Sequence, residues 1–346
     1  MKPKEPIPVT VLTGFLGAGK TTLLSHLLSQ NHGYHCAIII NEFGEVSIDH
    51  QLIVGADEEI LELKNGCLCC RVRKDLIQSL GDLFKKQKRF DYVLVETTGL
   101  AHPGPVAQTF FLPDLAKMLR LDAIVTVADA RHLEQELAQA PEAGAQVAFA
   151  DVILLNKTDL ASPSDLARVE ARIRHINALA RIYHTQRGQI DAARILDIKA
   201  RDVNAPFELP VAGPYEEIEQ EHGHDHEEDE EDGHESHGQP KHDHYHDEQV
   251  RSFSIVEDRP LDLKRTEAWI GELIGSMGAN IYRCKGILHI QGQPKRVVCQ
   301  GVQMMFDATP ERFWNPGENR QSRMVFIGKE LDEMKIRAGF ESCLAM

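Results

Sequence analysis

Three cysteines in four positions, Cys67-Leu68-Cys69-Cys70, lie between a glycine-rich loop and an acidic strand end. Cys67 and Cys70 have the C-x2-C spacing that lets two sulfurs meet one ion, and Cys69 adds a third thiolate. Zinc takes about four ligands, so another group must close the site, and Glu45 and solvent are the candidates. The same cluster also suits redox chemistry. Either use needs thiols kept reduced, and the chain opens without a signal-peptide pattern, so a cytoplasmic setting is expected. The remaining cysteines, 36, 284, 299 and 343, are scattered. Cys36 and Cys284 read as small buried hydrophobes.

The glycine-rich loop, Gly14 to Thr21, fits G-x-x-x-x-G-K-[ST] at every fixed position. An apolar strand over 7–12 precedes it and a helix pattern begins at Thr22. Such a loop turns the amides of Leu16, Gly17, Ala18, Gly19 and Thr22 toward an anion at the positive end of a helix. Gly14, Gly17 and Gly19 allow close approach of phosphate. Lys20 reaches the β- and γ-phosphates, and the Thr21 hydroxyl is a magnesium ligand. A strand over 92–95 ends in Glu96-Thr97-Thr98-Gly99, which puts the Glu96 carboxylate within reach of the same magnesium and gives Gly99 to a switch loop. Asn41 to Glu45 is a second switch candidate. A buried strand over 151–155 leads into Asn156-Lys157-Thr158-Asp159. An aspartate there accepts from the N1 and N2 donors of guanine, a pair adenine lacks, so GTP is favoured over ATP. Asn156 would fix the loop, and the Lys157 stem would pack over the purine.

The segments LTGFLGAGKTTLL, NEFGEVSID, NGCLCC, ETTGLAHPGP and LLNKTD, in this order, resemble the CobW-type GTPases. The resemblance implies a P-loop GTPase whose nucleotide state controls binding and release of a metal; no residue in the sequence is marked out to position the attacking water, so slow intrinsic hydrolysis is expected. That metal would be delivered to a client metalloprotein. The family motif falls on Lys20, Thr21, Cys67, Cys69, Cys70 and Asn156 to Asp159. Some relatives carry a carboxylate where Ile40 stands, so an auxiliary metal site there is in doubt. Zinc is the metal expected, with cobalt, nickel and copper left open by affinity order. A homodimer is a further possibility.

Composition divides the chain. Its 38 basic and 53 acidic residues give a net charge of −15. Residues 216–248 hold 15 of those acidic residues against a single lysine, so the rest of the chain is close to neutral. The same segment carries eight of the 17 histidines, among them His222, His224, His226, His242, His244 and His246. With almost no apolar content it cannot offset the entropy of ordering, and it reads as a flexible arm that collects metal weakly. The expected organisation is a nucleotide domain over 1–210, this linker over 211–249, and a small α+β domain over 250–346. The first part is α/β, a mainly parallel doubly wound sheet with strands near 36–40, 59–63, 92–95, 122–127 and 151–155, and helices near 71–86 and 163–179. The last part reads β-α-β-β-β-α, in the manner of a ferredoxin-like layer. No basic stripe supports nucleic-acid binding and no apolar run reaches membrane-spanning length. The competing readings are a metal buffer or sensor with regulatory GTP binding, an insertion factor for cobalt, iron or nickel enzymes, and a small-molecule kinase. No acceptor site favours the last.

Overall fold

The structure is a computed structural model and describes residues 5–41, 59–63, 76–81, 84, 90–201 and 250–345. The first layer contains strands β1 (Ile7–Thr13), β2 (Cys36–Asn41), β3 (Glu59–Leu63), β4 (Tyr92–Glu96), β5 (Leu119–Asp129), β6 (Val152–Asn156) and β7 (Arg181–His184). The helices among them are α1 (Lys20–Leu28), α2 (Pro103–Thr109), α3 (Pro113–Ala116), α4 (Leu133–Gln139), α5 (Pro141–Phe149) and α6 (Pro163–Ile176). Residues 76–81 and 84 are also helical, within the helix expected near 71–86.

These strands form one sheet in the order β3-β2-β4-β1-β5-β6-β7, and every pairing is parallel. A parallel sheet is covered on both faces, which is why its strands read as nearly continuous apolar runs. Leu23, Leu24 and Leu27 of α1 pack on one face with Leu94 and Val125. Val106, Phe149, Val169 and Ile173 pack on the other with Val9, Val11 and Ile153. The central strand β1 lies between β4 and β5, and the register pairs Leu12 with Glu96 and Thr13 with Thr126. Farther along, Asp129 pairs with Asn156. The carboxyl ends of four strands therefore meet at one edge of the sheet, where α/β proteins bind their ligands.

The second layer contains β8 (Val250–Glu257), α7 (Leu263–Met277), β9 (Ile281–Leu288), β10 (Lys295–Val302), β11 (Met305–Phe313), β12 (Ser322–Lys329) and α8 (Glu333–Glu341). Its antiparallel sheet runs β11-β10-β9-β12-β8. Trp269, Leu273, Ile336 and Phe340 of the two helices pack with Phe326, Cys284 and Cys299. The observed order has one strand more than the sequence pattern suggested. β11 is polar and contains Pro310, so it reads as a loop. It forms a strand because it lies at the edge, where a proline and exposed polar side chains are tolerated.

The two layers share a core. Tyr282, Val302, Val325 and Ile327 belong to the same apolar cluster as Phe149 and Val106. Tyr282 stacks on Phe149 with centroids 5.0 Å apart, and His102 meets the two rings edge-on at 5.3 and 5.4 Å. Beside them, Asp151 is buried between Arg201 and Arg283, each 2.6 Å away. Burial pushes the Asp151 carboxyl up, but the two guanidinium groups outweigh it and hold the acid below the usual carboxylate range.

Candidate nucleotide site

Strand β1 ends at Thr13, and the chain turns through Gly14 at φ 139. A Cβ at Gly14 would lie 2.1 Å from the Val127 carbonyl oxygen of β5, so only glycine fits this turn. The loop then delivers Lys20 to the first turn of α1. Lys20 is 9% exposed, and its Nζ donates to the carbonyls of Gly14 at 2.9 Å and Phe15 at 3.0 Å. Burial lowers its pKa from the ordinary lysine value, while Glu96 and Glu136 pull the other way. The two loop carbonyls thus hold the Lys20 ammonium group against the phosphate loop. Among the loop residues, Ala18 is buried and Leu16 is 57% exposed.

The Thr21 hydroxyl donates to Glu96 Oε1 at 3.0 Å, and Glu96 is buried at the end of β4. Two oxygen donors are thus side by side next to the phosphate loop. That donor set fits magnesium, a hard cation that takes oxygen ligands and keeps water. Thr97 continues the strand end, with its N–H on Leu12 O at 2.9 Å and its hydroxyl on Thr13 Oγ1 at 3.0 Å.

Asn156 joins the phosphate loop to the turn that follows β7. It is 2% exposed, and its Nδ2 donates to Ala18 O at 2.9 Å. Its Oδ1 accepts from Thr185 Oγ1 at 3.1 Å and Gly188 N at 3.0 Å. Lys157 is in the left-handed region at φ 60, and its Nζ donates to Asp129 Oδ2 at 2.8 Å. Asp159 follows on the exposed turn Thr158–Leu160.

Several residues of this site carry no motif and were missed in the sequence. Asp129 ends β5 two residues beyond the strand expected there. Burial raises its carboxyl, but Lys157, His132 and the Arg131 N–H more than offset that, so the acid is held low. Glu136 on α4 is 8% exposed and its Oε2 has no hydrogen-bond partner. Burial, then the charge of Asp129, pushes its pKa up to about 7. Thr185 and Gly188 follow the short strand β7, whose four residues offer no apolar run to read.

Cys67, Cys69, Cys70, Glu45, the switch segment 42–45 and the arm histidines His222, His224, His226, His242, His244 and His246 lie outside the described residues. Among the described residues, no group of three or more His, Cys, Asp or Glu side chains is arranged to hold a metal ion. Cys36, Cys284, Cys299 and Cys343 are buried, and burial pushes the Cys284 thiol up to about 12. Such thiols are poor thiolate ligands. Ile40 is a buried residue of β2. No helix among the described residues is long and apolar enough to cross a membrane.

A phosphate loop at the edge of a parallel sheet, with Lys20, Thr21 and Glu96 converging on it, defines a P-loop nucleotide-binding protein. The chain belongs to the CobW family: residues 8–184 match the nucleotide-binding domain of CobW/HypB/UreG, and residues 250–344 match the C-terminal domain of the cobalamin synthesis protein cobW. It is 37% identical over 343 residues to the zinc chaperone YjiA of Escherichia coli (strain K12), covering 97% of this chain and 98% of that protein. It is 34% identical over 380 residues to the zinc chaperone CobW of Pseudomonas aeruginosa, covering 100% of this chain and 93% of that protein. The crystal structure of Zn(II)-bound YjiA GTPase from E. coli superposes with a TM-score of 0.76 at 31% identity, over 99% of this chain and 100% of that one.

Proposed function

We propose that this protein is a GTP-hydrolysing zinc chaperone whose nucleotide state controls binding and release of the metal. The observation that carries the nucleotide half is Asn156, whose amide ties the phosphate loop at Ala18 to the base loop, so phosphate and base are read by one connected unit. The carriers of phosphate contact are Gly14, Leu16, Gly17, Ala18, Gly19, Lys20, Thr21 and Thr22. Asn156, Lys157 and Asp159 select guanine. Thr21 and Glu96 would hold magnesium, which would supply positive charge against the phosphate oxygens. Lys20 and the loop amides stabilise the charge that develops during phosphoryl transfer.

The zinc half rests on Cys67, Cys69 and Cys70, with Glu45 as a candidate fourth ligand, and on relatives named as zinc chaperones. Zinc is cargo: it passes to a client metalloprotein in the cytoplasm, and a homodimer is compatible with the site. We assign nucleotide work to residues 1–210, ion collection to 211–249 and client contact to 250–346.

The test is a pair of titrations, zinc against the GDP and GTP-analogue states, and each nucleotide against apo and zinc-loaded protein. Linkage requires the two factors to be equal, and a useful coupling is about 1–3 kcal/mol. Replacing Cys67, Cys69 and Cys70 by serine should remove the tight zinc site and the coupling and leave GTP binding intact. Zinc affinity identical in both nucleotide states would reduce the protein to a GTPase that happens to carry zinc.

A further inference from the structure

The segment after Glu96 touches both the phosphate loop and the C-terminal sheet. At its start, Gly99 lies directly on the phosphate loop, where an added Cβ would be 2.7 Å from Leu16 N and 2.8 Å from Leu16 Cα. Its carbonyls are fastened from the other side. Gln146 of α5 donates through Nε2 to Gly99 O at 2.9 Å and to Ala101 O at 3.1 Å. Gln146 is 1% exposed, and its own carbonyl accepts from Thr126 Oγ1 at 2.7 Å, which ties α5 to β5.

Farther along, the same segment meets the C-terminal domain. The His102 ring lies edge-on to Phe149 and Tyr282, and its Nδ1 accepts from Gly104 N at 3.2 Å to cap α2. Gln108 Nε2 donates to Gln303 Oε1 at 2.6 Å. Gln303 sits in the β10–β11 turn at φ 51, and its amide abuts Gly104 so closely that a Cβ there would collide with it. Helix α5 packs on β8 and β9 as well, so Gln146 and the Tyr282 ring are both fixed by one helix.

Two carbonyls held by one amide fix two planar peptide units, and with them the directions of the Leu100 and His102 N–H groups. We infer that Gln146 is a positioning residue for GTP turnover, and that Tyr282 and Gln303 make the placement of the Gly99–Gln108 segment depend on the C-terminal domain. This rests on the GTP hydrolysis proposed above. Hydrolysis needs the loop beside the terminal phosphate to be placed before reaction, whereas GDP lacks the group that loop would sense. The C-terminal domain thereby sets the rate of turnover, and a partner that displaces Tyr282 would alter it.

The experiment uses the full chain and measures kcat and KM for GTP together with GDP affinity. The variants are Gln146→Glu, Gln146→Met, Tyr282→Leu, Tyr282→Phe, Gln303→Ala and the double Gln146→Met/Tyr282→Leu. Gln146→Met has no hydrogen-bond donor and should lower kcat at least tenfold while GDP affinity stays within twofold, and Gln146→Glu, which donates only when protonated, should lose more kcat as pH rises. Tyr282→Leu and Gln303→Ala should lower kcat several-fold, and Tyr282→Phe, which keeps the ring, should match wild type. The double variant should lose less than the product of its two singles, the sign of shared action. A fall in GDP affinity equal to the fall in kcat, or multiplicative effects in the double variant, would overturn the inference. If Gln146 variants do not fold, unchanged kcat in both Tyr282→Leu and Gln303→Ala overturns it alone. Wild-type protein without GTP turnover would overturn the activity itself.

Discussion

Gly19 and Asn156 fit each other without room for a methyl group. A Cβ on Gly19 would lie 2.5 Å from Asn156 Nδ2, the nitrogen that donates to Ala18 O at 2.9 Å. Gly19 also stands at φ 108, a conformation other residues avoid. The end of β6 can approach the phosphate loop only because this position has no side chain.

The first prediction follows from that contact. Asn156→Ala would leave the buried Ala18 O, Thr185 Oγ1 and Gly188 N short of a partner, and each such loss costs about 1–3 kcal/mol. We expect a lower melting temperature and weaker binding of GDP and GTP alike, read by thermal unfolding with and without nucleotide. Unchanged nucleotide affinity would mean the two loops act separately.

Base choice gives the second. Asp159→Asn exchanges an acceptor for a donor, and a charge-assisted bond of this kind is worth about 1.5–3 kcal/mol. GTP should bind more weakly and xanthosine triphosphate more tightly, measured by competition with a fluorescent nucleotide. Equal turnover of ATP and GTP by the wild-type protein would refute the guanine assignment.

The acidic arm supplies the third. Removing residues 216–248 takes away eight histidines and 15 carboxylates. The number of weakly held zinc ions should fall, while the tightest site and GTP turnover persist. Loss of the tightest site in an equilibrium dialysis experiment would mean that the specific ligands lie in the arm.

Glu136 gives a pH dependence whose sign is opposite to that of a paired carboxylate. Its pKa is about 7 in the folded protein against the ordinary 4.5, so the native state binds the extra proton. Stability from this group is therefore full below pH 4.5 and is lost as pH rises toward 7 and beyond. Glu136→Gln should raise the melting temperature of the nucleotide-free protein at pH 8 and leave it nearly unchanged at pH 5. An equal shift at both pH values would show that the effect is packing rather than ionisation.

The parallel sheet was legible because its core strands are buried apolar runs, and β1, β4 and β6 each have a motif at the carboxyl end. Lys20, Thr21, Glu96 and Asn156 stand at or just after the ends of such runs, and the structure brings them to one edge. Asp129, Glu136 and Gln146 were not legible, since each acts through a neighbour distant in sequence. Gln146 reads as an ordinary helix residue until its amide is seen on Gly99 O. β7 and β11 were missed because an exposed edge strand has no apolar face to announce it. The buried position of Asp151 could be read from its place before an apolar strand, but its two arginine partners, 50 residues and more away in the chain, could not.

Arg201 and Val250 lie against the same helix. Arg201 donates to Phe149 O at 2.8 Å, and a Cβ on Gly144 would lie 3.6 Å from Val250 Cγ2, so both residues are placed by α5. The peptide link through residues 202–249 is not what joins the two sheets, because Phe149, Tyr282 and the Asp151 ion triad do that directly. A protease cut within 202–249 would accordingly leave two fragments that stay together through size-exclusion chromatography.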